Sequence, residues 1–441
     1  MRAPHIRTAL PGPKAQALLA RDFAVSTPSL PRDYPFVIAK GRGVEVWDVD
    51  GNRFLDFASG IAVCSTGHAH PKVVQAIKDA ADDFIHISSD YWHERMTQLC
   101  EKINALDPLG EPVQVFACQS GTETVEAALK LARYVTGRPR FIGFLGSFHG
   151  RSMGSLSFTS SKYTQQAGFF PTMPGVTHVP YPNNYRPLFA GADQGRAVLE
   201  YIENTLFQAN VPASEVAAIL IEPIQGEGGY LVPPDGFLQG LRELCDRHGI
   251  LLIFDEVQSG IGRTGKMFAS QHWGVKPDIM TLAKGLGSGM PIGLTVARRR
   301  HMEKWKRGAH GNTFGGNPLC CAAALATLEL VENEYAANAA SVGEYFIHAL
   351  RQLQQRFECV GDVRGKGLMI GMELITDRSS RKAAKELCDR VLTRAYHNGL
   401  LLLSCGASTV RFIPPLMITR AHVDEAMTLI EVALREAQAA G

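Results

Sequence analysis

The sequence predicts an α/β protein built on a mainly parallel sheet. Three observations carry this. Short apolar runs of buried-strand length recur along the middle of the 441-residue chain, segments of helical periodicity lie between them, and glycines gather at the strand-to-loop junctions. Strands that alternate with helices form a sheet covered on both faces, so the strands read as continuous apolar runs.

The runs, in order, are Val113 to Cys118, Phe141 to Leu145, Ala217 to Ile221, Ile250 to Phe254, Ile279 to Ala283 and Gly293 to Ala297. The segment Thr122 to Val135 places Val125, Ala128, Leu129 and Ala132 on one helical face. Gly236 to His248 does the same with Phe237, Leu238, Leu241 and Leu244. The ends of the chain differ. Gly43 to Phe57 alternates and carries Asp50-Gly51, a hairpin signal. After about Leu330 the order becomes helix, strand (Met369 to Leu374), helix (Lys382 to His397), strand (Leu400 to Ser404), strand (Thr409 to Ile413), helix. The expected organisation is a large domain over 75–330, flanked by an N-terminal segment 1–74 and a C-terminal α+β unit 331–441. The two flanks together make a smaller domain.

Composition narrows the function. Lys plus Arg is 45 and Asp plus Glu is 43, a net charge of +2, so nothing asks for a polyanionic partner. The densest basic cluster, Arg298 to Arg300 with Lys304, Lys306 and Arg307 around Trp305, reads as a solvated helix end rather than a nucleic-acid surface. No apolar run reaches membrane-spanning length, and the basic N-terminus has no secretory apolar core. The nine cysteines are odd in number and scattered without Cys-x-x-Cys, which suits a reduced, cytoplasmic compartment.

In parallel α/β sheets ligands bind beyond the carboxyl ends of the strands. At those ends the chain carries Gln119-Ser120-Gly121-Thr122 before a helix, Ser147-Phe148-His149-Gly150-Arg151, Glu222-Pro223-Ile224-Gln225-Gly226-Glu227, Asp255-Glu256-Val257-Gln258 and Lys284-Gly285. A small turn at a helix N-terminus cradles phosphate. Together these segments place a phosphate site, an aromatic ring, a carboxylate and a lysine at one sheet edge. A phosphorylated pyridine aldehyde needs that set: lysine for a Schiff base, carboxylate for the ring nitrogen, aromatic for stacking.

With those residues in view, the chain resembles the class III aminotransferases of pyridoxal-phosphate fold type I, close to 4-aminobutyrate aminotransferases. The matching stretches run from Gly60-Ile61-Ala62-Val63 and Thr66-Gly67-His68, through 251–293 with its Asp255 to Lys284 interval, to Arg411-Phe412-Ile413-Pro414-Pro415-Leu416. The resemblance implies pyridoxal 5'-phosphate as cofactor, with Lys284 as Schiff-base lysine and proton carrier and Asp255 on the pyridinium. It places Ser120, Gly121, Thr122, Phe148, His149, Glu222, Val257 and Gln258 around the cofactor. Phe148 stands where the family usually has tyrosine, so it can stack but offers no hydroxyl. Thr313, in His310 to Pro318, would reach the phosphate of a neighbouring subunit, which makes a homodimer or higher homo-oligomer with shared sites the expected unit. Ile61, Arg151, Glu227 and Arg411 would meet substrate, the arginines binding carboxylates and Glu227 neighbouring Arg411.

The implied reaction moves an amino group from an ω-amino acid to a 2-oxo acid such as 2-oxoglutarate. Some relatives on this scaffold are amino-acid racemases or epimerases. The stretch from Phe170 to Asn183 resembles an archaeal-type branch holding both activities, so racemisation is the alternative reading; a non-catalytic scaffold is a third. Other patterns read as structural. Gly260-Ile-Gly-Arg-Thr-Gly265 is a literal GxGxxG, but it does not open the first βα turn and Met267 spoils a P-loop. His68 and His70 lack partner ligands, so no metal is expected. Glu123 and Glu126 read as capping or solvated residues, and Lys366 as a turn residue.

Overall fold

The computed structural model describes residues 4–439. Near the N-terminus, β1 (Ile38–Arg42), β2 (Glu45–Asp48) and β3 (Arg53–Asp56) form an antiparallel meander. Its second turn uses Asp50-Gly51: Gly51 sits at φ 86°, and Asp48 Oδ1 accepts from the backbone N–H of Asp50 and Asn52.

The central sheet has seven strands: β4 (Val113–Cys118), β5 (Arg140–Phe144), β6 (Val176–Val179), β7 (Val216–Ile221), β8 (Leu251–Asp255), β9 (Ile279–Leu282) and β10 (Gly293–Arg298). Their spatial order is β4-β10-β9-β8-β7-β5-β6. All neighbours pair in parallel except β10, which runs antiparallel to both β4 and β9. β7, β8 and β9 are buried at every position. In β7, Ile219 and Ile221 pack on one side with Leu238, Leu241 and Leu244 of helix Phe237–His248. Ala218 and Leu220 pack on the other with Val125, Ala128, Leu129 and Ala132 of helix Gly121–Thr136. This two-sided covering is why these strands read as unbroken apolar runs.

The sequence reading found no strand at β6, a four-residue edge strand that is only partly buried and preceded by Pro171 and Pro174. β11 (Val360–Lys366) also escaped it, because its Asp362, Arg364 and Lys366 mask any apolar pattern. The expected single strand Leu400 to Ser404 is divided. β13 (Leu400–Leu401) pairs in parallel with β3, whereas β14 (Leu403–Cys405) pairs antiparallel with β15 (Thr409–Phe412). With β12 (Met369–Leu374), the C-terminal sheet has the order β11-β12-β15-β14. Residues 400–405 thus stitch the N-terminal meander to the C-terminal sheet.

Candidate active site

β8 delivers Asp255 at its carboxyl end, and three donors hold the carboxylate. Oδ1 accepts from Val257 N–H and Thr281 Oγ1, each at 3.0 Å, and Oδ2 lies 2.7 Å from His149 Nδ1. The His149 ring is wholly buried, its backbone N–H donates to Thr159 Oγ1, and its edge meets Phe158. His149 Nε2 and Gln258 Oε1 are buried with no hydrogen-bond partner among the described residues. A buried polar atom without a partner is costly, so these atoms fit a polar group supplied by a ligand.

Glu222 follows β7. Its Oε1 accepts from Gly226 N–H at 3.0 Å and its Oε2 from Phe148 N–H at 3.2 Å, which joins the turns after β5 and β7. Burial pushes the Glu222 carboxyl up to about 7, with His149 opposing and Asp255 adding to the rise. Arg151 is exposed, its guanidinium 5.9 Å from the Phe148 ring centroid.

Helix Gly121–Thr136 begins directly after β4. Ser120 is its N-cap, and Thr122 Oγ1 bonds the hydroxyls of Ser152 (2.8 Å) and Ser155 (2.6 Å). A Cβ at Gly121 would come within 2.8 Å of Val257, so glycine is what lets this N-terminus approach the segment after Asp255. An N-terminus with its dipole and N–H groups in this position suits a phosphate.

Lys284 opens a short turn after β9 with φ at 44°, the left-handed region. Burial lowers its pKa, while Glu227 and Asp255 act against that shift. Arg411, on β15, forms an ion pair with Glu227 from the 226–229 loop, and both side chains are largely buried. Burial alone would raise the Glu227 carboxyl, but the Arg411 guanidinium overcomes this and holds it below its ordinary value. Ile61 is partly exposed within a left-handed turn in which Ser59, Gly60, Ile61 and Ala62 all have positive φ. Asp56 Oδ1 secures that turn by accepting from the N–H groups of Ala58 and Ser59.

The structure therefore groups His149, Asp255, Glu222, Phe148, Val257, Gln258 and Gly121 at one sheet edge and puts Lys284 within electrostatic reach of Asp255 and of the Glu227–Arg411 pair. Thr313 stands apart, exposed on its loop beside the exposed Phe314. Thr281 was missed by sequence reasoning; its one signal is a hydroxyl in an otherwise apolar strand. The remaining patterns have structural partners. His68 Nε2 lies 2.7 Å from Asp56 and His70 Nε2 lies 3.1 Å from the Tyr335 hydroxyl. In the glycine-rich 260–265 segment, Arg263 is buried and donates to the carbonyls of Leu368 and Pro414. Arg298 and Arg300 of the basic cluster pair with Glu111.

Comparisons with known proteins place the chain in a family. The family described as aminotransferase class-III matches residues 29–434. An alanine/serine racemase of Pyrococcus horikoshii is 39% identical, over 99% of this chain and 94% of its own. A 5-aminovalerate aminotransferase of Pseudomonas aeruginosa is 38% identical, over 94% of this chain and 97% of its own. Among solved structures, an amine transaminase from an uncultivated Pseudomonas species, in its PLP-bound form, superposes with a TM-score of 0.87 at 33% identity. It covers 94% of this chain and 98% of that one. The chain belongs to the class-III aminotransferases, and its fold is the fold type I of pyridoxal-phosphate transaminases. Pyridoxal phosphate is accordingly its cofactor.

Proposed function

We propose that the protein transfers an amino group from an ω-amino acid to a 2-oxo acid such as 2-oxoglutarate. The observation that carries this reading is the Glu227–Arg411 pair set near Lys284. Pyridoxal phosphate supplies an aldehyde that takes up amines and a protonated ring that draws charge from the reacting carbon.

The chain's own groups do the rest. Gly121 and Thr122, on the Ser120-capped helix end, would hold the cofactor's phosphate, and Phe148 would cover its ring. Gln258, whose Oε1 is buried without a partner among the described residues, would face the ring hydroxyl, and Val257, His149 and Glu222 would complete the wall. Asp255, an acceptor fixed by three donors, keeps the ring nitrogen protonated by placing a negative charge beside it. Lys284 Nζ, with its pKa lowered by burial, loses its proton more readily than an exposed lysine. It would thus be suited to hold the cofactor's aldehyde carbon and, once a substrate amine has displaced it, to take the proton from the carbon bearing that amine. Arg411 receives the α-carboxylate of the 2-oxo acid in a bidentate pair. Glu227 neutralises Arg411 when the donor brings no carboxylate there. Arg151 meets a distal carboxylate and Ile61 lines the pocket. The active unit is a homodimer or higher homo-oligomer in which Thr313 reaches the partner's phosphate site, working in the cytoplasm.

A second reading, amino-acid racemisation, is supported by the racemase that resembles the chain over nearly its full length. The deciding experiment is a screen of amino donors with 2-oxoglutarate, run beside a chiral assay of single amino acids without any oxo acid. Transfer from ω-amines with no racemisation supports the proposal. Rapid racemisation without transfer replaces it with the second reading.

A further inference from the structure

The Glu227–Arg411 pair bridges two parts of the fold. Glu227 sits on a loop that follows β7 of the central sheet, and Arg411 on β15 of the C-terminal sheet. The spacing between loop and strand therefore governs how the carboxylate meets the guanidinium, and a third residue sets that spacing.

Arg364, on β11, uses all five of its N–H groups. Nε and Nη2 donate to the Gly229 carbonyl at 2.9 and 2.6 Å, and Nη2 also reaches Thr409 Oγ1 at 3.1 Å. Nη1 donates to Asp362 Oδ2 at 2.8 Å and to Glu373 Oε2 at 2.7 Å. Gly229 is two residues beyond Glu227, and Thr409 is two residues before Arg411 on the same strand. Glu373 lies opposite Thr409, and Gly371 opposite Arg411, in the β12–β15 ladder. Arg186 holds the other Glu373 oxygen at 2.6 Å. The Glu227 carbonyl itself accepts from Gly406 N–H, in the turn between β14 and β15, at 2.7 Å. Gly229 has φ 128°, and a Cβ there would press to 3.1 Å from Arg364 Nη2. Its carbonyl is presented to Arg364 through a backbone shape that only glycine adopts readily.

We propose that Arg364 is a positioning residue for substrate carboxylate recognition. It locks the Gly229 carbonyl against the strand of Arg411, and so sets how tightly Glu227 competes with a substrate carboxylate for that guanidinium. This rests on the reading that Arg411 receives a carboxylate. The planar five-donor fork is essential: a lysine could keep the charge and one acid partner, but could not hold Gly229, Thr409 and Glu373 together.

The test measures KM for 2-oxoglutarate and for an ω-amine donor, with calorimetric binding of glutarate, a dicarboxylate that cannot react. Arg364→Lys holoenzyme should change glutarate affinity and the 2-oxoglutarate KM by about tenfold, with the ω-amine KM shifted less than about twofold and the visible cofactor band intact. Thr409→Val removes a single contact with little change in shape, and should move the same quantities in the same direction by a smaller factor. It also serves if Arg364→Lys does not fold. Unchanged glutarate affinity, or equal losses for both substrates, would make Arg364 a structural strut and overturn the inference. Arg411→Gln separates the two levels. If it leaves glutarate affinity unchanged, the reading of Arg411 has failed. If it abolishes glutarate binding while the Arg364 and Thr409 variants bind normally, only the positioning role has failed.

Discussion

The buried imidazole of His149 lies against Asp255, Nδ1 2.7 Å from Oδ2, and so occupies one of the two carboxylate oxygens. A carboxylate fixed by an imidazole, a hydroxyl and a backbone N–H stays where it is placed. On the proposed role of Asp255, Asp255→Asn removes the negative charge that would keep the cofactor ring nitrogen protonated. It should lower kcat by roughly a thousandfold, about 4 kcal/mol of barrier. His149→Gln keeps a donor but loses the ring, and should cost less, on the order of tenfold. Stopped-flow half-reactions measure both, and an Asp255→Asn enzyme within tenfold of wild type would remove Asp255 from its role.

Lys284 gives a prediction in pH. Burial lowers its pKa in the folded chain below the free lysine value of 10.5. Between those two values the unfolded chain binds more protons, so this group's contribution to stability is present above about 10.5 and is lost as pH falls through the lowered folded value. Lys284→Met should therefore raise the Tm of the cofactor-free protein at neutral pH, and the gain should vanish as pH passes 10.5. Thermal scans across pH check the sign; a lower Tm at pH 7 would contradict it. In the wild-type holoenzyme, borohydride should fix the cofactor on Lys284, as read by peptide mass mapping.

How far the sequence showed all this depended on the kind of contact involved. β7, β8 and β9 were legible because both faces are covered, so each position had to be apolar. β6 and β11 were not, because an edge strand and a strand carrying ion pairs have no such constraint. The strand ends gave Asp255, Lys284 and the helix-capping turn at Ser120, since chemistry in a parallel sheet sits after the strands. The pairing of Glu227 with Arg411 came from family resemblance. Thr281 and Arg364 stayed hidden. Their roles lie in hydrogen bonds to residues 26 and 135 positions away, and no local pattern records those.

The exposed loop of Thr313 predicts assembly. Phe314 on that loop is 57% exposed and meets His86 with ring centroids 4.8 Å apart; nearby in sequence to His86, Ile85, Tyr91 and Trp92 are exposed as well. An apolar patch of this kind suits a subunit contact. Sedimentation should find a dimer, and Phe314→Asp should shift it toward monomer and weaken cofactor binding by about tenfold or more. A wild-type monomer that is fully active at assay concentration would contradict the shared site.

The Glu227–Arg411 pair gives the prediction that separates transfer from racemisation. The proposed transfer would make opposite demands on Arg411 in its two half-reactions. The 2-oxo acid brings an α-carboxylate, which the guanidinium should grip in a bidentate pair. An ω-amine donor brings none, and a buried guanidinium left unpaired costs several kcal/mol. Glu227 resolves the conflict if it pairs with Arg411 in one half-reaction and moves aside in the other. The paired state is the one seen here, with Arg411 holding the Glu227 carboxyl below its ordinary pKa. Removing the glutamate leaves the carboxylate-binding state satisfied by substrate and the other state unsatisfied. Glu227→Ala should therefore slow the ω-amine half-reaction by about a hundredfold, roughly 3 kcal/mol, while the half-reaction with glutamate loses less than about tenfold. Single-turnover kinetics with each substrate alone measure the two rates separately. Equal losses would show that Glu227 only shapes its glycine-rich turn, and an enzyme that racemises one amino acid rapidly without an oxo acid would need no such switch.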